Sequence, residues 1–200
     1  MTNHPAIETS LAVIEEELRR LNRVPLLNSF APGVPPETVQ DWLSKIDLTS
    51  VPDLDALYSW HNGLTDDGPA ATLGQVWMFP IFYLMSIEES YFVYRAVSSS
   101  GRWSDAWWPV FADGGGDNYV VELPPLGDGK VFHFRNEFPE CPLEYNSLQD
   151  MMATIAAAFV NRVYFADPDD DVIDEIPGAF DQLAAEMNPD IQWWNDPNLA

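Results

Sequence analysis

The sequence predicts an α+β domain, with a central antiparallel β-sheet of about four strands flanked by helices. Three observations predict it. Two apolar runs, Trp107–Ala112 and Tyr119–Leu123, flank the turn Asp113-Gly114-Gly115-Gly116-Asp117; that order is strand, glycine-rich turn, strand, because glycine accepts the positive φ a sharp reversal needs. Several other stretches repeat apolar residues at helical spacing. Hydrophobic content is 46%, with eight Trp, eleven Phe and seven Tyr, enough for a sizeable core.

In chain order, residues 5–22 read as an amphipathic helix, with Pro5 in its first turn and Ile7, Leu11, Ile14, Leu18 and Leu21 on one stripe. Glu15–Arg19 and Glu16–Arg20 are favourable pairs on its wet side. Residues 24–35 read as a proline-rich connector, and Pro36–Ile46 as a short helix burying Val39, Trp42, Leu43 and Ile46. A third helix covers Pro52–His61 and ends at Asn62-Gly63, where glycine suits a left-handed cap. A polar loop, 64–75, leads to an apolar strand, Val76–Met85, in which Pro80 implies an edge, bulge or break. Ser86-Ile87-Glu88-Glu89 is a capping box opening a helix to about Val97.

After a loop at 98–106 comes the hairpin, then a turn, Pro124–Gly129, and a third meander strand, Lys130–Arg135. Asn136–Asn146 reads as a loop with two prolines. Ser147 caps a helix whose Leu148, Met151, Met152, Ile155, Phe159 and Val163 face the core. From Ala166 the composition shifts: residues 166–200 hold ten Asp and Glu and no Lys or Arg. Asp167 and Asp169–Asp171 repel one another and suit a linker. A helix over about 172–187 follows, interrupted at Pro177-Gly178, and Trp193-Trp194 either packs back on the domain or docks on a partner.

Charge narrows the function. Thirty-two acidic residues against nine basic ones give a formal net charge of −23. That field repels nucleic acid and anionic membranes and speeds encounter with a basic partner; the same charge also serves plain solubility. Cys141 is the only cysteine, so no internal disulfide or cysteine-based zinc site forms. The start MTNHPAIETS has neither the basic nor the apolar region of a secretory signal, and no apolar run is long enough to span a bilayer. A cytoplasmic location is expected.

Catalytic patterns are missing. His4, His61 and His133 are scattered, and His61 suits a structural role at a helix C-terminus. Asp113 and Asp117 offer too few oxygens for calcium and read as turn-bonding residues. No nucleophile elbow occurs, Cys141 lies beside Glu140 and reads as inert, and no pair of carboxylates is marked as buried. No catalytic residue, metal or cofactor is expected. Of Trp60, Trp77, Trp103, Trp107 and Trp108, most belong in the core, while an exposed one within an acidic rim would mark a partner site.

The order of motifs resembles the SUKH superfamily, which takes in the fungal SMI-one/KNR-four cell-wall-assembly regulators and many bacterial immunity proteins. The residues are Val51-Pro52-Asp53-Leu54 through Leu57-Tyr58-Ser59-Trp60-His61-Asn62-Gly63, then Trp77 through Pro80, and Tyr83-Leu84-Met85-Ser86 before Glu88-Glu89. Trp108-Pro109-Val110-Phe111 with the Asp113–Asp117 turn, Gly129-Lys130-Val131 and the Ser147–Leu148 helix start complete the order. The resemblance covers about residues 5–165. It implies a SUKH-like domain over 1–165, with 166–200 an acidic, part-helical extension outside it. It also implies a binding module without catalytic residues: an immunity protein that neutralises a polymorphic or contact-dependent toxin, such as a basic nuclease domain. The alternative is a regulatory scaffold that binds a cellular protein or peptide. Candidate partner-binding residues are Trp60, His61, Asn62, Trp77, Asp113, Asp117, Trp193 and Trp194.

Overall fold

A computed structural model describes residues 4–65, 67–167 and 172–196. Its first helix, α1 (Ile7–Arg20), buries Ile7, Leu11, Ile14 and Leu18, the predicted stripe. Pro5 precedes the helix instead of lying in its first turn. On the wet side Glu15 pairs with Arg19 as expected, but Arg20 takes Glu17 at 2.7 Å, one turn-position nearer than Glu16. Exposed pairs of this kind contribute little.

The expected connector is ordered. It holds α2 (Val24–Ser29) and a short strand, β1 (Phe30–Pro32). Helix α3 (Pro36–Leu43), extended by a 3-10 turn at Ser44–Ile46, buries Val39 and Leu43. Helix α4 (Pro52–Trp60) stops before His61, and the chain turns directly into β2 (His61–Leu64), antiparallel to β1. Gly63 is therefore a strand residue, not a helix cap; its φ of +70° lets the strand lie flush on Met85 and Ser86.

The predicted strand over Val76–Met85 is mostly something else. Pro80 lacks a donor, and the chain reverses between Phe79 and Phe82, where the Phe82 N–H donates to the Phe79 carbonyl at 3.1 Å. Only β3 (Tyr83–Leu84) joins the sheet, at its edge. The reversal has Pro80 at its second position and Ile81 at its third with φ +62°, the place glycine normally takes in a type II turn. A β-branched residue there is strained. Ile81→Gly is expected to raise stability by about 1 kcal/mol, because strain of about 1–3 kcal/mol exceeds the extra unfolded-state entropy of glycine. Ile81 is 47% exposed, so little packing is lost. Thermal melts check this; a lower Tm would refute the strain.

Ser86 caps α5 (Ile87–Val97), its Oγ accepting the Glu89 N–H at 3.1 Å, as the capping box predicts. The meander follows as β4 (Trp107–Ala112), β5 (Asn118–Glu122) and β6 (Val131–Phe134). The stretch expected as a loop, Asn136–Asn146, supplies β7 (Leu143–Tyr145). The main sheet thus has five antiparallel strands, ordered β3-β4-β5-β6-β7, where about four were expected. Helix α6 (Leu148–Val160) is capped by Ser147, packs on α1 and buries the predicted core face.

The C-terminal segment folds back onto this body. A hairpin, β8 (Tyr164–Asp167) and β9 (Val172–Glu175), is followed by α7 (Ala179–Met187) and α8 (Gln192–Asn195). The helix expected over 172–187 begins only after Pro177-Gly178; before it, alternating burial makes a strand. The expected Asp169–Asp171 linker lies outside the described residues. Asn188 of the tail donates to Thr154 of α6 at 3.0 Å, and both are buried. Among the described residues, no helix is long and apolar enough to cross a membrane.

Tyr58 of α4 is fully buried, with its hydroxyl 2.9 Å from Ser90 of α5. Burial pushes that hydroxyl up from 10.0 to about 12. A raised folded-state value stabilises fully below the unfolded one and loses that contribution as pH climbs through the window between them. Stability is therefore expected to fall by roughly 3 kcal/mol between pH ~10 and ~12 from this group alone. Tyr58→Phe should flatten the fall; denaturant midpoints against pH measure it.

Candidate protein-binding surface

The eight candidate residues fall in four places. Trp60, His61 and Asn62 mark the junction of α4 and β2. The Trp60 indole N–H donates to Glu15 Oε2 at 2.9 Å, and its ring lies 4.4 Å from His61. His61 stacks on Phe30 at 4.4 Å with rings 9° apart, and its Nδ1 lies 3.1 Å from the Ala31 carbonyl. The helix-end role expected for His61 is thus replaced by a cross-strand bond to β1, because β2 carries the ring away from the helix axis. Burial lowers the His61 pKa, and because a carbonyl oxygen only accepts, Nδ1 carries the proton donated to Ala31. Asn62 Oδ1 accepts the Ile87 N–H at 2.9 Å and pins the start of α5. Beside Trp60, a groove of about 570 Å³ between α1 and α4 carries Glu8, Glu15 and Asp55.

Trp77 follows the 3-10 turn at Leu73–Val76 and is half-buried. Its indole N–H is buried and meets no acceptor among the described residues.

Asp113 and Asp117 organise the hairpin turn. Asp113 Oδ1 accepts the amides of Gly115, Gly116 and Asp117 at 2.7, 2.8 and 2.9 Å, as the turn-bonding reading predicts. Asp117 Oδ1 accepts the Asn136 amide at 2.7 Å, tying the turn to the loop before β7. Among the described residues, no group of three or more His, Cys, Asp or Glu is placed to hold a metal ion.

Trp193 and Trp194 pack back on the domain. The Trp194 indole donates to the Glu144 carbonyl at 2.6 Å, and its ring lies 5.8 Å from Tyr145 and 5.9 Å from Phe180. Trp193 faces the Arg135 guanidinium at 5.6 Å. Together they help enclose a cleft of about 440 Å³ between the sheet and the C-terminal segment.

The cleft contains the groups that sequence reasoning missed. Tyr119 of β5 and His133 of β6 are cross-strand partners, so their rings share a face and stack at 4.6 Å. Glu144 of β7 closes the network: its Oε2 accepts the Tyr119 hydroxyl at 2.9 Å, and its Oε1 accepts His133 Nδ1–H at 3.1 Å. Asp117 Oδ2 stands 3.8 Å from His133 Nε2 on the other side. Glu144 is 2% exposed, a burial that nothing in the sequence marks. The cause is a register shift in the β6–β7 pairing, where Val131 opposes Tyr145 and Phe132 opposes Leu143. The extra residue is Glu144, and a bulge re-aims the side chain that regular alternation would have turned outward. The glutamate in a proline-rich stretch gives no periodic signal for this.

Burial, then the nearby Glu144 charge, holds the hydroxyls of Tyr119 and Tyr145 well above their ordinary range, so the cleft's phenols stay neutral. On the tail side stand Asp174, Glu175 and Asp181. The Glu175 carboxyl is pushed up by burial first and then by Asp181 and Asp174. Among the described lining residues there is no Ser, Thr, Cys or Lys to act as a nucleophile. The arrangement suits recognition of a cationic surface, with aromatic faces and a negative field in one recess.

The structure therefore brings Trp193 and Trp194 together at one cleft, sets Asp117 behind it against His133, and leaves Trp60, His61 and Asn62 outside its lining. A family model described as the SMI1 / KNR4 family (SUKH-1) matches residues 33–154, more than half of the chain. No curated protein matches the chain.

Proposed function

Because the chain belongs to the SMI1 / KNR4 family (SUKH-1), a family that includes immunity proteins, we propose that it is a protein-binding module that neutralises a basic toxin domain by direct contact. It makes and breaks no covalent bond and acts in the cytoplasm. The observation that carries this reading is the aromatic, acid-walled cleft in a chain of net charge −23. Long-range attraction brings the basic partner in, and buried aromatics set the affinity once water is expelled. In this reading residues 1–165 form the family domain, and the acidic extension 166–200 specialises it for one partner.

The test is binding to the protein encoded in the neighbouring reading frame, which this reading expects to be a toxin with a basic domain. A one-to-one complex is expected, with an association rate that falls at least ~10-fold between low and high salt, because only the steering is screened. Co-expression should restore growth to cells making the toxin. No binding and no protection would remove the reading, and capture of a housekeeping enzyme instead would favour the regulatory scaffold.

A further inference from the structure

Two tyrosines in the cleft have hydroxyls with no hydrogen-bond partner among the described residues. Tyr145 and Tyr164 are 1% and 3% exposed, both line the cleft, and neither hydroxyl bonds to another group among the described residues. Beside them, Asp174, Glu175 and Asp181 form no ion pair among the described residues. Such hydroxyls beside crowded carboxylates offer acceptors to a donor of positive charge.

The remaining cationic groups do not supply it. His133 is committed to Glu144 through Nδ1. Arg135 lies at the rim, its guanidinium 4.0 Å from the Phe138 ring and 5.6 Å from that of Trp193. That contact shows which chemistry the aromatic rim accepts: a flat cation on a ring face. A guanidinium presents five N–H donors in a plane, matching stacked rings, phenol oxygens and carboxylates at once, whereas an ammonium is a compact point charge.

We propose that the cleft between β5–β7 and the C-terminal extension is a receptor for one arginine side chain of a basic protein partner. The guanidinium stacks on the aromatic lining, donates to the free Tyr145 and Tyr164 hydroxyls, and neutralises Glu175 and its neighbours. Tyr119, His133, Glu144 and Tyr145 lie within the family-matched residues 33–154, while Tyr164, Glu175, Phe180 and Trp193 lie beyond them. The extension thus closes over the β5–β7 face of this sheet to make a pocket. The partner's identity rests on the protein-binding reading; the pocket's chemistry does not.

The full chain is titrated with N-acetyl-arginine methylamide, followed by tryptophan fluorescence and by NMR. Saturable binding near ~1 mM is expected, with the Trp193 indole resonance shifting. The uncharged isostere N-acetyl-citrulline methylamide should bind about tenfold more weakly, and the lysine analogue several-fold more weakly. Tyr164→Phe and Glu175→Gln, which remove one hydroxyl and one charge, should each weaken the arginine probe about fivefold without unfolding the protein. Absence of saturable binding, equal binding of citrulline, tighter binding of lysine, or indifference to both variants overturns the proposal. Toxin binding that survives both variants overturns the pocket as anchor and leaves the protein-binding reading standing. Probe binding with no toxin binding does the reverse.

Discussion

Gly63→Ala is expected to destabilise the protein by about 2–4 kcal/mol, a large share of the ~5–15 kcal/mol that holds a domain folded. Two effects add. Gly63 has φ +70°, where any Cβ costs about 1 kcal/mol. That Cβ would also stand 2.2 Å from the Ser86 nitrogen and 2.7 Å from the Met85 carbonyl carbon. Both are backbone atoms, so no rotamer change relieves the clash. Relief would separate β2 from the start of α5, stretching the 2.9 Å bond between Asn62 Oδ1 and the Ile87 amide. Overpacking of this kind costs about 1–3 kcal/mol. A shifted urea midpoint at unchanged slope measures the effect, and a change below ~0.5 kcal/mol would mean the junction yields freely.

Glu144→Ala is expected to cost about 2–5 kcal/mol, because it strands two donors in a recess. The Tyr119 hydroxyl and the His133 Nδ1–H both end on this carboxylate. Each unpaired buried donor costs about 1–3 kcal/mol. Glu144→Gln should cost less, since one oxygen still accepts. Tyr119→Phe should cost about 1 kcal/mol alone, and the double variant Tyr119→Phe with Glu144→Ala less than the sum, because one stranded donor is gone. Additive losses in that double-mutant cycle would show the network to be a coincidence of packing. Tm and urea midpoints of the four proteins suffice.

The two predictions differ in how their residues could be recognised. Gly63 follows Asn62 in a turn-forming pair, and its need for positive φ is legible even though the element around it is a strand and not a helix end. Glu144 follows Pro139 and Pro142 in a stretch that reads as a loop. Its burial depends on the β6–β7 bulge and on Trp194 returning from fifty residues away to bond its carbonyl.

The same division runs through the molecule. Ser86 and Ser147 announce their helices because a cap involves residues only three apart, as Glu89 and Asp150 confirm. The Asp113–Asp117 turn and the α1 stripe are equally local. Pro80 signals a break in its strand but not the reversal that leaves β3 only two residues long.

By itself, the sequence determined the α+β class, the capped helices, the hairpin and the acidic character, since these depend on neighbours within about one turn or on composition alone. Only the tertiary structure decided that Tyr119, His133 and Glu144 meet, and that the C-terminal tryptophans enclose them. That meeting needs strand register and a returning chain, which are set by packing between residues far apart in sequence.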